Sequence, residues 1–149
     1  MCDCLICDRI ALIRQGKNPY FVRELSTGYV VVGDHQRIRG YTVFLCKVHA
    51  TELFQLEPDF RNRFLQEMAL TAEAVSNTFH PDKMNYELLG AGRGLHMHWH
   101  LFPRYAGDTP KPGPVWQLAD ELHDDRFLPS PQELEELKTR LDAELVKLL

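Results

Sequence analysis

The sequence predicts an α+β fold: an antiparallel β-sheet meander with one long helix, one or more short helices and a C-terminal amphipathic helix. Two groups of β-rich segments flank one long segment of helical periodicity, and a leucine-striped segment ends the chain. Strands therefore follow strands before a helix follows a strand, which is the order expected of an antiparallel sheet. We expect the helices to lie on one side of that sheet.

The first fifty residues predict a short helix and three strands. Residues 9–16 have helical character, and Gly16 ends this segment. Residues 20–34 are rich in Val, Tyr and Phe, which predicts two strands joined by a turn at residues 26–28. Residues 40–47 are rich in β-branched and aromatic residues and predict a third strand.

A long helix is predicted for residues 57–81, because Pro58 suits a first turn, where its missing N–H costs nothing, and Pro81 ends the segment. The apolar residues of this segment recur at helical spacing, and they are Phe60, Phe64, Met68, Ala72, Val75 and Phe79. Residues 83–90 predict a fourth strand, and a glycine-rich turn follows at residues 91–94.

The C-terminal region predicts a separate helix that follows a proline-rich surface loop at residues 107–116. Ser130 and Glu133 form a capping-box pattern at the start of this helix. A single stripe of leucines follows, at Leu134, Leu137, Leu141, Leu145 and Leu148. We expect this stripe to pack on its own domain or at a dimer interface.

Composition and charge indicate an ordinary globular protein. The 149 residues are 44% hydrophobic and 26% charged, as is usual for a single domain. The formal net charge of −4 argues against a general nucleic-acid binder, which would carry a basic surface. No apolar run approaches the ~18 residues needed to span a bilayer, and residues 1–10 show no signal-peptide pattern. We therefore expect a cytoplasmic protein without nucleic-acid or membrane partners.

Three histidines, His96, His98 and His100, stand at every second position. Apolar residues alternate with them, and these are Leu95, Met97, Trp99 and Leu101. Because successive side chains of a β-strand point to opposite faces, this alternation predicts a strand whose apolar residues enter the core. The histidines then share the other face, with neighbours about 6.6 Å apart.

Three interpretations of these histidines are open. They can be side chains with no chemical task, ligands of a catalytic zinc ion, or a nucleophile with supporting imidazoles. The first is the weakest, because Lys, Thr or Glu would serve a solvent-facing strand equally well. Neutral imidazole is a good nucleophile near neutral pH, and a neighbouring group can hold its second nitrogen in the required tautomer.

The segment HMHWHLF, followed by PRYAGD, resembles the signature of the histidine triad (HIT) superfamily of nucleotide hydrolases and transferases. The segments CLIC and GYTVFLCKVHATEL resemble the same family, whereas FHPDKMNYELLG and GPVW are similar to a bacterial subgroup of it. The resemblance covers residues 1–118. We therefore expect a HIT-like domain there and a C-terminal helical extension at residues 119–149.

This resemblance implies a nucleotide hydrolase or transferase. His98 would attack the α-phosphate of a dinucleoside polyphosphate or nucleoside phosphoramidate, forming a nucleotidyl-histidine that water later releases as a monophosphate. His100 would hold His98 or bind phosphate oxygens. The resemblance also implies a purine nucleotide or dinucleoside polyphosphate as ligand, no catalytic cofactor, and a homodimer. The alternative function is a non-catalytic nucleotide-binding module of the same fold.

Four residues are candidates for substrate contact. Gly92 and Arg93 lie in the glycine-rich turn, where backbone N–H groups and a guanidinium can approach a phosphate closely. Asp34 is a candidate for the ribose-binding acid. Asn85, on the fourth predicted strand, is a candidate for a nucleotide contact.

Two departures from the family pattern bear on activity. Tyr41 stands where many members have a histidine, and Arg93 and Gly94 stand where many have Gln and Ser. In the family, these positions are associated with phosphate or leaving-group contacts. The departures therefore bear on rate and substrate preference more than on the reaction class.

The cysteines near the N-terminus predict a metal site. By spacing alone, Cys4 and Cys7 fit a redox pair, half of a structural zinc site or two idle thiols. The resemblance implies structural zinc, because in several bacterial relatives zinc is bound at the positions that correspond to Cys4, Cys7, His49 and His96. Four such ligands complete a closed tetrahedral site. Of the other cysteines, Cys46 is expected in the core and Cys2 at a frayed terminus.

Overall fold

The computed structural model describes residues 3–149 and confirms the predicted α+β class; Cys2 lies outside these residues. Within them, five strands form one antiparallel sheet, and they are β1 (Phe21–Glu24), β2 (Gly28–Val32), β3 (Thr42–Cys46), β4 (Lys83–Glu87) and β5 (His98–Arg104). The α-helices are α1 (Leu5–Arg14), α2 (Pro58–Phe79) and α3 (Pro131–Leu148). In this part of the chain, no helix has the length and apolar character that crossing a membrane requires.

The strands lie in the order β1-β2-β3-β5-β4, so the last strand of the chain is inserted between the third and the fourth. In the antiparallel register of β3 and β5, Val43 lies opposite His100 and Leu45 lies opposite His98. On the other side of β5, Glu87 of β4 lies opposite His100. The histidine strand therefore has a hydrogen-bonded neighbour on each side, which fixes the direction of its side chains.

One face of the sheet packs against α2 and α3. Val30 and Phe44 lie in this main core with Phe64 of α2, and the rings of Phe44 and Phe64 stack with their centroids 5.3 Å apart. Four leucines of the predicted stripe are buried, and they are Leu134, Leu137, Leu141 and Leu145. The α3 helix thus packs on α2 and the sheet of its own chain. The division between residues 1–118 and 119–149 stays a prediction.

The expectation that all helices lie on one side of the sheet is wrong for α1. Ile6 and Ile10 of this helix pack with Val31 and Val43, which belong to the sheet face that carries the histidines. Sheet residues alternate between the two faces, so the central strands meet helices on both sides. All five residues of β2 and all five of β3 are buried for this reason.

Two element boundaries differ from the prediction. The α1 helix begins at Leu5, well before residue 9, because the sulfur of Cys4 accepts a hydrogen bond from the backbone N–H of Cys7 and caps the helix. Cysteine is not a usual capping residue, so the sequence signals for a helix start do not detect it. The histidine strand begins only at His98, and Leu95, expected in the core, is 52% exposed.

Residues 115–127, which we call the C-terminal cover, cross the face of the sheet that carries the histidines. Two hydrogen bonds hold the cover on the loop that follows β2. The Nε of Arg37 donates to Glu121 at 2.5 Å, and the backbone N–H of Gln36 donates to the carbonyl of Phe127 at 2.8 Å. The cover therefore forms one wall of the histidine site.

Candidate active site and metal centre

His98 has a fixed tautomer. Its Nδ1 lies 2.7 Å from the backbone carbonyl oxygen of His96, and a carbonyl oxygen can only accept a hydrogen bond. Nδ1 therefore carries the hydrogen of the neutral ring, and the lone pair is on Nε2. Burial lowers the pKa of His98 below its ordinary value, so the ring is neutral at neutral pH. This is the state that a nucleophilic imidazole requires.

His100 lies beside His98, with ring centroids 4.7 Å apart, and is also neutral. Burial, with smaller contributions from His98 and His123, lowers the pKa of His100 to about 4. Its Nδ1 lies 2.5 Å from the hydroxyl of Tyr41. Both histidines therefore bring uncharged rings to the same place.

The Tyr41 hydroxyl is hydrogen-bonded to His100. Tyr41 is stacked on Phe102 with a centroid separation of 4.3 Å, and burial raises the pKa of its phenol. The hydroxyl thus keeps its hydrogen, and among residues 3–149 its recorded partner is His100 Nδ1. A protonated phenol can donate to Nδ1, and in that arrangement the hydrogen of the His100 ring is on Nε2, where a substrate oxygen can accept it. Tyr41 therefore contacts His100 through its hydroxyl and Phe102 through its ring.

His98 and His100 line a cavity of about 260 Å³ between α1, β2, β3 and the C-terminal cover. Asp34 lies in the same cavity, as the sequence predicts for a ribose-binding acid. Arg9 of α1 holds it through two hydrogen bonds, of 2.7 and 2.6 Å, one to each carboxylate oxygen. The structure thus brings Asp34 together with the two candidate catalytic residues.

The glycine-rich turn lies beside His98. It forms a short 3₁₀ turn at Gly92–Gly94, and a Cβ at Gly94 would lie 3.9 Å from Cε1 of His98. Gly92 has a φ of +54°, in the left-handed region that favours glycine. Arg93 points away to two carboxylates of the N-terminal region: it donates to Asp3, and to Asp8 at 2.8 Å. Its guanidinium is therefore already paired.

Asn85 is not brought to the histidine cavity. Its side-chain oxygen accepts a hydrogen bond of 2.8 Å from Arg104, which also binds Asp108 through two nitrogens at 2.8 and 2.9 Å. These residues line a larger cavity of about 880 Å³ between β4 and residues 104–114. The smaller cavity is the better candidate for chemistry, because it holds the neutral histidines.

Several residues of the site were not found from the sequence. Arg9 comes from α1, and His123 and Leu122 come from the C-terminal cover. His35 lies beside His123, with ring centroids 6.1 Å apart, and its Nε2 lies 3.1 Å from Asp125. These residues stand alone in the sequence without a periodic pattern, so only the tertiary fold brings them to the histidines.

The four predicted metal ligands form one cluster. Ligand atoms of Cys4, Cys7, His49 and His96 all lie within 4.8 Å of one another. The Cys7 sulfur is 3.2 Å from His49 Nδ1 and 3.5 Å from His96 Nδ1, and the Cys4 sulfur is 3.6 Å from His96 Nδ1. Zinc bonds of about 2.3 Å to sulfur and 2.0–2.1 Å to nitrogen separate tetrahedral ligand atoms by about 3.5 Å. These spacings fit zinc.

The tautomer of His96 also suits metal binding. Its Nε2 donates to the backbone carbonyl oxygen of Cys46 at 2.7 Å, which leaves the lone pair on Nδ1, the atom that faces the two sulfurs. Burial lowers the pKa of His96, which favours the neutral, metal-binding form. His96 therefore belongs to the cysteine cluster, and His98 and His100 to the cavity.

Comparisons with known proteins agree with this geometry. The family model described as the HIT domain matches residues 21–107. No curated protein matches the sequence. A histidine triad protein from Marinobacter aquaeolei VT8 is similar in structure, with a TM-score of 0.72 at 24% identity over 87% of this chain and 90% of that one.

Two further solved structures share the fold. A hypothetical histidine triad nucleotide-binding protein from Sulfolobus tokodaii strain7 has a TM-score of 0.71 at 18% identity, covering 95% of this chain and 93% of that one. A zinc-bound histidine triad family protein from Mycobacterium smegmatis has a TM-score of 0.65 at 22% identity, covering 97% and 94%. At these identities the likeness is one of fold. The family model matches more than half of this chain, and the chain therefore belongs to the HIT domain family.

Proposed function

We propose that this protein cleaves dinucleoside polyphosphates or nucleoside phosphoramidates at the α-phosphate, through a nucleotidyl-histidine on His98. The observation that carries the proposal is the 2.7 Å bond from His98 Nδ1 to the carbonyl of His96, in a neutral ring beside a cavity. It leaves Nε2 with the lone pair that attack on phosphorus needs.

The reaction has two steps. In the first, the Nε2 lone pair forms a bond to the α-phosphorus, and the leaving group departs with the electrons of the broken bond and takes up a proton from solvent. In the second, water attacks the phosphorus and gives up a proton to solvent, which frees His98 and yields the nucleoside monophosphate. His100 donates from Nε2 to a phosphate oxygen, and Asp34, held by Arg9, accepts from ribose hydroxyls. Gly92 stays a candidate for a phosphate contact through the backbone of its turn.

The direct test is incubation with adenosine 5′-phosphoramidate and with a dinucleoside polyphosphate, with the products separated by chromatography. Release of adenosine monophosphate from either substrate is the expected result. The rival function is a nucleotide-binding module that has lost turnover, and the substitution of Tyr41 for a histidine favours it slightly. Tight nucleotide binding without any release would support the module and overturn the proposal.

Replacing Tyr41 by Phe is expected to lower kcat/KM by about 10-fold, because His100 Nδ1 loses its hydrogen-bond donor and the ring its fixed tautomer. Tyr41→His, which restores the residue common in the family, is expected to recover most of the loss. Tyr105→Phe is the matched control, since that hydroxyl donates to the carbonyl of Arg39. Wild-type kinetics in Tyr41→Phe would contradict the positioning role.

We also propose that the protein is a homodimer that uses β4 and α2, in line with the family resemblance. β4 is an edge strand of the sheet, and an unpaired edge offers backbone groups to a second strand. Light scattering at micromolar concentration is expected to give twice the 17.3 kDa of one chain. A monomer mass there would refute the dimer. The cytoplasmic location and the absence of nucleic-acid and membrane partners stay predictions.

The Cys4, Cys7, His49 and His96 cluster is proposed as a structural zinc site. Its support is the donor set, the spacing of the ligand atoms and the fixed tautomer of His96. When bound, zinc would cross-link α1 to the end of β3 and to the segment before β5. It would thereby hold His96, whose carbonyl positions His98, and it would take no part in the chemical steps.

A further inference from the structure

A second cavity, of about 400 Å³, opens on the other side of His100. It shares Tyr41, His100 and the C-terminal cover with the first cavity, so a substrate bound at His98 can extend into it. Its other walls are mainly apolar and aromatic, and they include Leu89, Phe102, Val115 and Trp116. We call it the distal cavity.

One polar atom in this apolar lining is unexplained. Glu87 lines the distal cavity and is the cross-strand neighbour of His100. Its Oε2 atom is buried, and among residues 3–149 it has no hydrogen-bond partner. A buried carboxylate oxygen without a partner is costly, because it has lost water and gained nothing in exchange. Such an atom suits a ligand that brings its own donor.

The charged groups around the distal cavity indicate the sign of the charge that the ligand carries. Among the described residues that line it, the charged side chain is the carboxylate of Glu87, and none is Lys or Arg. The neighbouring His100 has a pKa lowered to about 4 and is neutral. Arg104, the cation that interacts with Glu87, lies outside this lining and is already paired with Asp108. A polyphosphate chain in the distal cavity would meet the Glu87 carboxylate with no Lys or Arg among the lining residues, whereas an ammonium group would form a charge-assisted hydrogen bond.

We propose that the distal cavity is a leaving-group subsite for amines that carry an apolar arm ending in a cationic amino group, which donates to Glu87. This inference rests on the proposed function, and it selects phosphoramidates of basic amines over dinucleoside polyphosphates as substrates. The arm packs against Phe102 and Trp116, and the ammonium supplies the donor that Glu87 lacks.

Three adenosine 5′-phosphoramidates test the proposal, made from 1,4-diaminobutane, pentylamine and 5-aminopentanoate. Each has the same four-methylene arm, which spans the separation of about 5 Å between cross-strand neighbours, and they end in ammonium, methyl and carboxylate. The expected kcat/KM for the ammonium substrate is about 10-fold above that for the methyl substrate and about 100-fold above that for the carboxylate substrate.

Variants of Glu87 test whether this residue causes the preference for the ammonium substrate. Glu87→Gln keeps the shape of the side chain and is expected to bring the ammonium-to-methyl ratio close to one, and Glu87→Lys to favour the carboxylate substrate. Glu73→Gln, which removes an exposed carboxylate from α2, is the matched control and should keep the wild-type ratio. Each ratio is measured within one variant, so a general loss of activity does not affect it.

The outcomes separate the two proposals. If none of the three compounds, nor adenosine 5′-phosphoramidate, nor a dinucleoside polyphosphate releases adenosine monophosphate, the proposed function fails. If only the last two substrates are cleaved, the function stands and the amine subsite is overturned. If all three are cleaved with equal kcat/KM by the wild-type protein, the function stands and the amine subsite is overturned. A preference for ammonium that persists in Glu87→Gln would also overturn the role of Glu87.

Discussion

Replacing His98 by Asn is expected to lower monophosphate release from adenosine 5′-phosphoramidate by about 10⁴-fold or more, because the reaction loses its nucleophile. Asparagine can still donate from its side-chain amide to the carbonyl of His96, so the local backbone keeps its partner. The measurement is steady-state release of adenosine monophosphate, with circular dichroism to verify the fold.

A matched control separates loss of the nucleophile from loss of any histidine. His80 is an exposed residue at the end of α2 with a φ of 53°, a left-handed conformation that Asn tolerates well. His80→Asn is therefore expected to retain full activity. Rapid quenching of the reaction should also trap one nucleotidyl group per chain on the wild-type protein. The same treatment of the His98→Asn variant should trap none. Undiminished release by His98→Asn would exclude a covalent intermediate on this residue.

The alternation of histidines and apolar residues predicted part of this site correctly. His98 and His100 do share one face of a strand, with Trp99 partly buried and Leu101 fully buried on the other. The pattern did not predict that His96 leaves the strand. The N–H of Met97 donates to the carbonyl of Ala50, outside the sheet, and His96 lies with Cys4 and Cys7.

The cluster of Cys4, Cys7, His49 and His96 could be predicted from the sequence, because the cysteines follow a known spacing and the set follows a family resemblance. The remaining walls of the active site carry no such signal. Arg9, Glu87 and His123 are single residues on different elements, and only the tertiary fold brings them to the two cavities beside His100. Local patterns report which face a residue occupies, whereas these contacts depend on long-range packing.

Tyr41 shows a second limit of prediction from the sequence. The sequence places Tyr41 in the third predicted strand, and the structure places it just before β3. The family resemblance shows that it stands where many members have a histidine. That it stacks on Phe102 and donates to His100 depends on the strand order, which places β5 beside β3. An aromatic hydroxyl at that position therefore supports the histidine pair in a way that the sequence alone did not indicate.

The double variant Cys4→Ser with Cys7→Ser is expected to lose zinc and much of the stability of the fold. Zinc that is present at 1,000 times its dissociation constant stabilises the folded chain by about 4.1 kcal/mol. For a chain of this size, losing that contribution lowers Tm by roughly 10 °C. Elemental analysis should find one zinc per chain in the wild type and little in the double variant, and thermal unfolding gives the shift in Tm.

Cys46→Ala is the matched control for the removal of a cysteine. Cys46 is fully buried outside the ligand set, and burial raises the pKa of its thiol to about 11, which disfavours the thiolate that zinc requires. Its backbone carbonyl, which holds His96, is retained in the variant. Cys46→Ala should therefore keep one zinc per chain.

The pH dependence of zinc binding follows from the ligand chemistry. Cysteine binds as thiolate and histidine as neutral imidazole, so protons compete with the metal, and affinity falls as the pH falls. The stability that zinc contributes is present at neutral pH and is lost in acid, so the Tm difference between wild type and double variant should shrink as pH is lowered. Full zinc content in the double variant would instead place the metal on His98 and His100. In that case chelation would abolish catalysis directly, and the cysteine cluster would not be the metal centre.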